Sequence, residues 1–431
     1  MRTQRKSAEH PRRQHTMDGV RAAVISVMAA RASRARGHTM TRMHPHSGVP
    51  NASTSAQGPS GFALFAALIA VVLVSAFIAM AWTITMREFR ASIVGASAVR
   101  AMEAAEYAST APLESWIPGD ALTMPIAATQ GPASRVLAGG ATATWRMQRL
   151  TSSTFLTLGE GLDGETERRT SLLLRLSRPD FDTSATVTVG DSVWVHTGAM
   201  VSGFDAIPPG WGGSGLACTL HPAQAATASP DSTRVCDGTC GAPAGVGVVG
   251  QPARLTDTTA SDSARYTIFG AETWSTLAAR ATVRLSAGVV VTPLPVTTGA
   301  RCDRTVSSNW GDLTRATVCA DYFPVIYAAG DVTMHGGSGQ GILLAEGDVT
   351  LESGATFAGV IVSRDDVRSA IGGAHVFGRV LAQDRDVSDG RHPDLATGGL
   401  VERSSCAESR AVEGSAPLRR VTSRSWNPLY R

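Results

Sequence analysis

One stretch of this chain constrains it more than any other. Phe62 to Trp82 is an apolar run of 21 residues interrupted only by Ser75. About 20 apolar residues, rising 1.5 Å each, span a hydrocarbon core of roughly 30 Å. The run predicts one transmembrane helix near the N-terminus, and no other segment competes with it.

The charge distribution predicts its orientation. Residues 1–60 carry ten Lys and Arg against Glu9 and Asp18, a net charge of +8. Of the chain's 39 basic and 36 acidic residues, 29 and 34 remain beyond that point, a net charge of −5. Basic flanks stay on the cytoplasmic side, so the long C-terminal part is expected outside the membrane. Lys6 is the only lysine, which marks a compositional bias towards Arg and not a nucleic-acid-binding arm. Residues 1–61 read as a disordered leader, rich in Arg, His, Ser and Ala, with Met17, Met28, Met40 and Met43 as alternative starts.

Three readings of the run compete: a plain anchor, a secretory signal cut near Ala79-Met80-Ala81, and a longer functional helix. The run exceeds the usual signal core, and Trp82 follows at once. Helical spacing also continues beyond it, through Met86, Phe89, Ile93, Ala96, Val99 and Met102. Ser109, Thr110 and Pro112 are the first break signals, so a helix of about 48 residues is expected over 62–110, transmembrane in its first half. A simple anchor does not need the second half.

Gly61-Phe62-Ala63-Leu64-Phe65, the apolar run, and Arg100-Ala-Met-Glu-Ala-Ala-Glu-Tyr-Ala108 resemble the N-terminus of type IV pilin-like proteins, most closely the PilX-type pilus assembly proteins. The resemblance implies that a prepilin peptidase cuts after Gly61 and methylates Phe62, and that mature helices pack side by side with other pilin-like subunits. Two departures are visible. Ala66 stands where most pilins have Glu at the fifth mature position, a residue that PilX-like members also lack. Ser60, Pro59 and Gly58 precede the cleavage position, and Arg42 is the nearest basic residue.

Beyond Pro112 the chain turns β-rich. Ala141–Gln148, Thr154–Leu158 and Thr166–Leu176 alternate polar and apolar residues and predict a small head sheet over 111–205, cradling the helix. Residues 206–300 form a less regular insertion that contains cysteines. In 301–390, Gly330-Asp331-Val332-Thr333 recurs as Gly347-Asp348-Val349-Thr350, and Asp366-Val367 and Asp386-Val387 follow after 18 and 20 more residues. Short apolar strands lie between them. Such a repeat predicts coils of a parallel β-solenoid, in which each rung buries its side chains on the next. Val187–Trp194 has the same grammar and is a candidate extra rung. Asn309-Trp310-Gly311-Asp312, Cys319–Pro324 and Gly339–Leu344 resemble the distal part of some PilX-like proteins. Residues 391–431 read as a tail.

Cys218, Cys236, Cys240, Cys302, Cys319 and Cys406 all lie on the expected outer side, where disulfides form. Cys302 and Cys319 flank a 16-residue loop and are the expected pair. Cys218 is expected to join Cys236 or Cys240, with Cys406 taking a remaining partner. The competing zinc set is Cys218, His221, Cys236 and Cys240; the outer compartment favours disulfides, so no metal and no cofactor is expected. Asp331, Asp348, Asp366 and Asp386 raise a carbohydrate-active enzyme reading. Their regular recurrence fits turn aspartates that accept backbone N–H groups, and a catalytic pair would not need four. His196, His335 and His375 show no partner at metal spacing.

The expected fold is α+β, mainly β: a long pilin-like helix and an extracytoplasmic β-rich head with solenoid-like coils. The expected function is non-enzymatic, as a minor pilin-like component or assembly factor of a type IV pilus or secretion pseudopilus at the cytoplasmic membrane. The alternative is a membrane-anchored adhesin or polysaccharide-binding protein, its head touching a surface or polysaccharide.

Overall fold

The computed structural model describes residues 60–181, 184–212, 218–230, 235–237, 247–370, 372–384, 393–421 and 426–429. The leader before residue 60, Cys240 and Asp386-Val387 lie outside the described residues, as does the side chain of Cys236. One long apolar N-terminal helix is followed by a β-rich body. The chain divides into two compact units, Met1–Ala81 and Trp82–Arg431.

The helix runs Ser60–Ser115, through Pro112 and past the expected end at 110. Ser109 Oγ donates to the Glu106 carbonyl at 2.9 Å and Thr110 Oγ1 to that of Tyr107 at 3.0 Å, so these break signals are absorbed as side-chain bonds inside the helix. Leu113 and Trp116 then pack on the head core of Met147, Phe155, Leu172 and Leu174, which holds the last turn in place.

The head is an antiparallel sheet. Thr129–Val136, Thr142–Arg149, Thr154–Asp163 and Thr166–Leu176 pair in sequence order. Its far edge is supplied by Leu418–Arg420 and Trp426–Leu429, which both pair with Thr166–Leu176. The described residues beyond 390 are therefore built into the fold and do not form a separate tail. The strand Thr129–Val136 carries no apolar alternation, having every residue exposed, and sequence patterning missed it.

Two further sheets, of 11 and seven strands, are built from parallel ladders. Ser338–Ala345, Thr356–Ser363 and His375–Ala382 stack in register in the first. Val332–His335, Val349–Glu352 and Val367–Ser369, which fall between them in sequence, stack in the second. Leu343, Ile361 and Val380 from the first sheet and Val349, Leu351 and Val367 from the second share one core. The first sheet is buried on both faces, because the helices Trp274–Ala279 and Ser405–Gly414 and Trp211 and Phe323 cover its outer side. Its strands accordingly read as continuous apolar runs, whereas the second sheet alternates buried and half-exposed residues.

The strands of the parallel ladders do not follow chain order. Ala185–Val189 pairs parallel with His375–Ala382, Val193–Val195 with Asp394–Leu395, and Met200–Ser202 with Leu400–Glu402. The segment 185–202 thus belongs to the parallel ladders, as the candidate extra strand Val187–Trp194 anticipated, although the sequence-read head boundary at 205 had included it. Ala225–Ser229 and Val235–Asp237 extend them further. From the expected irregular insertion, Val283–Leu285 and Val289–Val291 supply the opposite end.

Candidate functional site

Within the second unit the helix has two unlike stretches. Ala101, Ala104, Ala105, Ala108 and Ala111 are buried against the head sheet. Opposite them the sheet has Gly159 and Gly161, where a Cβ would stand 2.4 Å from the Ala105 carbonyl oxygen and 1.9 Å from that of Ala101. Only hydrogen on the strand side lets the backbones come this close, and Thr170 Oγ1 uses the approach to donate to the Ala105 carbonyl at 2.9 Å. At the hairpin tip Asp163 accepts from Arg100 at 2.8 Å. Hydrogen bonds from Ser97 and Arg100 hold its carboxyl below the usual range.

Before the head begins, the helix is bare all round. Phe89, Ile93, Val94 and Val99 are 50–61% exposed, and Phe89, Ile93 and Val99 belong to the apolar stripe read from the sequence. The head packs on the alanines from residue 101 onward and leaves the larger apolar side chains before them uncovered. In the first unit Phe62 is 73% exposed, Leu64 76% and Phe77 70%. The helix is long and apolar enough to cross a membrane. Gly61 and Phe62 lie in its first turn.

Aspartates line one corner of the parallel ladders. The Asp348 N–H donates to Asp331 Oδ1 at 3.0 Å, and the Asp366 N–H donates to Asp348 Oδ1 at 3.2 Å. Each carboxylate thus holds the next rung's backbone. Arg368 bridges the column, 3.2 Å from Asp348 and bonded to Asp366. Burial pushes the Asp366 carboxyl up, against the lowering effect of Arg368. Asp365, Asp366 and Asp384 each offer an oxygen within 4.8 Å of the others, with Arg368 already supplying positive charge there.

The histidines have carboxylate partners that linear spacing did not reveal. His335 Nδ1 lies 2.8 Å from Glu352, His375 Nε2 2.8 Å from Glu402 and His196 Nε2 2.8 Å from Asp394. His335 and Glu352 are 17 residues apart and face each other across adjacent strands. The Gly-Asp-Val repeat has the same period, so it held the signal for this pair.

Cys302 is bonded to Cys319, with Cα atoms 4.9 Å apart. The 16-residue loop between them is worth about 3 kcal/mol in the chain-entropy model. Cys218 is bonded to Cys406, which corrects its expected pairing with Cys236 or Cys240. Asp205 explains the choice. It accepts from the His221 N–H at 2.7 Å and from the Ser405 N–H at 2.8 Å, and so draws the two segments together. With its sulfur in that bond Cys218 offers no thiolate, and the Cys218–His221–Cys236–Cys240 zinc set is not assembled.

A polar cavity of about 290 Å³ opens beside this disulfide, lined in part by Arg149, His221, Ser405, Ser409, Arg410 and Glu413. Arg149 is a structural strut, donating to the carbonyls of Ala121, Met124, Thr151 and Ser152.

The architecture is that of an α+β protein with a long apolar helix and a β-rich body. No protein-family model matches the chain. No curated protein matches it either. Among solved structures, the competence-associated pilin ComZ from Thermus thermophilus aligns over 70% of this chain and 86% of its own, with 11% identity and a TM-score of 0.25. That overlap is too loose to fix a shared topology.

Proposed function

We propose that this protein is a structural, non-enzymatic, pilin-like subunit, a minor component or assembly factor of a type IV pilus or related secretion pseudopilus. The observation that carries the reading is the length of helix left apolar and bare. It begins with the run Phe62–Trp82 and, past the charged Arg87, Glu88 and Arg90, resumes with exposed Phe89, Ile93, Val94 and Val99, 38 residues of helix or roughly 57 Å, well beyond the roughly 30 Å of a hydrocarbon core. Lipid accounts for part of that surface, and neighbouring helices of like subunits cover the remainder. Small residues along the span, Ala63, Ala66, Ala67, Ala70, Ser75 and Ala76, allow close helix approach.

In this reading a prepilin peptidase cuts between Gly61 and Phe62. The basic leader stays cytoplasmic, and the body faces outward on a single-pass inner-membrane helix. The two parallel ladders are coils of a β-solenoid carried on a pilin-type head, and the disulfides suit the oxidising outer compartment.

The test is the N-terminus of the membrane-associated protein, sequenced by mass spectrometry. Phe62 at the N-terminus, methylated, supports the reading, and Gly61→Val should abolish that species. A retained leader marks a plain anchor and overturns the pilin assignment. A start at Trp82 marks a released secreted protein and overturns it as well.

A further inference from the structure

The cavity beside the Cys218–Cys406 disulfide has an uneven charge balance. Four arginines, Arg149, Arg178, Arg315 and Arg410, cluster with two carboxylates. Glu413 is already shared, 3.0 Å from Arg178 and 3.8 Å from Arg149. Asp321 is taken by Arg315 at 3.1 Å. The nearby Asp205 is saturated by donors from Ser405 and His221. Arg410 is the arginine left over: it makes no hydrogen bond and no ion pair with any described residue, and it lines the cavity half-buried. Around it stand the hydroxyls of Thr219, Ser405 and Ser409 and the ring of His221.

We propose that this cavity is an anion site in which Arg410 takes the oxyanion of a small ligand, a carboxylate or a phosphate group. A guanidinium presents a planar fork that matches two oxygens of either group. Its present surroundings favour such a partner. Burial above all pulls its pKa below the ordinary range; Asp321 and Glu413 oppose this, the Arg315 and Arg149 charges add to it, and an anion in direct contact offsets the burial and the like charges. The volume admits a ligand the size of a monosaccharide, and the hydroxyl-rich wall offers partners for its polar groups. An acidic sugar and a free phosphate are the two sources of such an oxyanion.

The experiment is calorimetric titration of the full chain in detergent with inorganic phosphate, with glucuronate and with neutral glucose, at constant ionic strength. Saturable binding of phosphate or glucuronate, at least tenfold tighter than any for glucose, is expected, and the anion that binds names the source. Arg410→Gln should weaken it by tenfold or more, whereas Arg146→Gln, exposed and outside the cavity, should leave it unchanged. Ser409→Asp, at an exposed position on the rim, supplies an internal carboxylate and should also abolish binding, so the result does not rest on one variant folding. No saturable binding of either anion, or equal binding by wild type, Arg410→Gln and Ser409→Asp, overturns the proposal.

Discussion

At the scale of single residues, the groups that matter most here are those that join segments distant in sequence. Glu272 is the clearest. It is fully buried and accepts from Ser177 and, at 2.7 Å, from Thr276, with Arg419 3.1 Å and Arg280 3.9 Å away. Burial is the largest influence and pushes its carboxyl up, but the hydroxyl and guanidinium partners together outweigh it and hold the group below the usual range. A depressed carboxyl contributes stability above its unfolded value, about pH 4.3, and that stability is lost as pH falls through the lower folded value. Glu272→Gln strands the Arg280 charge and should cost about 3 kcal/mol at pH 7. The gap from wild type should narrow below about pH 4, as urea unfolding at pH 7 and at pH 3.5 would show. None of these links was legible in advance, since Ser177, Glu272 and Arg419 share no motif. Gly159 and Gly161 were visible as residues, but their meaning depends on the alanine face that lies against them.

At the scale of elements, legibility followed repetition. The recurrence of Asp-Val at Asp331, Asp348 and Asp366, after 17 and 18 residues, located strands of the second sheet because in-register parallel stacking turns a near-constant period into a column of equivalent residues. The same period places Gly341, Gly359 and Gly378 side by side in the first sheet, all with strongly positive φ. A Cβ on Gly359 would lie 2.0 Å from the Gly341 carbonyl oxygen, and Ala411 of the helix Ser405–Gly414 closes in at 3.1 Å. Gly359→Val meets both the φ penalty and this crowding. It should lower stability by roughly 3 kcal/mol or more, read as a fall in unfolding temperature together with a loss of β signal in circular dichroism. The helix Ser405–Gly414 itself escaped sequence reading. Its buried contribution is Ala407, Ala411 and Gly414, a face too small to give an apolar period. The helix is fixed instead by its partners, Arg379–Glu408 at 3.1 Å and the Cys218–Cys406 bond.

At the scale of the whole molecule, the chain order of rungs was beyond any local pattern. Residues 185–202 stack on residues 375–402, and the last strands close the sheet opened by the first, so the body is tied through pairings of very high sequence separation. Local periodicity identifies a rung but does not say on which rung it stacks. The apolar stripe of the long helix was legible in the sequence, and the structure adds that the head begins too far along the helix to cover Phe89 and Ile93. Phe89 and Val94 are both 61% exposed and make up no part of the buried alanine seam. A double substitution, Phe89→Glu with Val94→Glu, should therefore change the unfolding temperature of the disulfide-bonded body little, because exposed positions outside special features shift stability by about 0.5 kcal/mol or less. The same charges would be buried between neighbouring helices in an assembled fibre, at a cost of several kcal/mol for each ion. Sedimentation of sheared surface fibres, probed for this chain, should then show the double variant reduced at least tenfold while its membrane-fraction level is unchanged. Equal incorporation of wild type and variant would mean that the bare stripe is not an assembly surface.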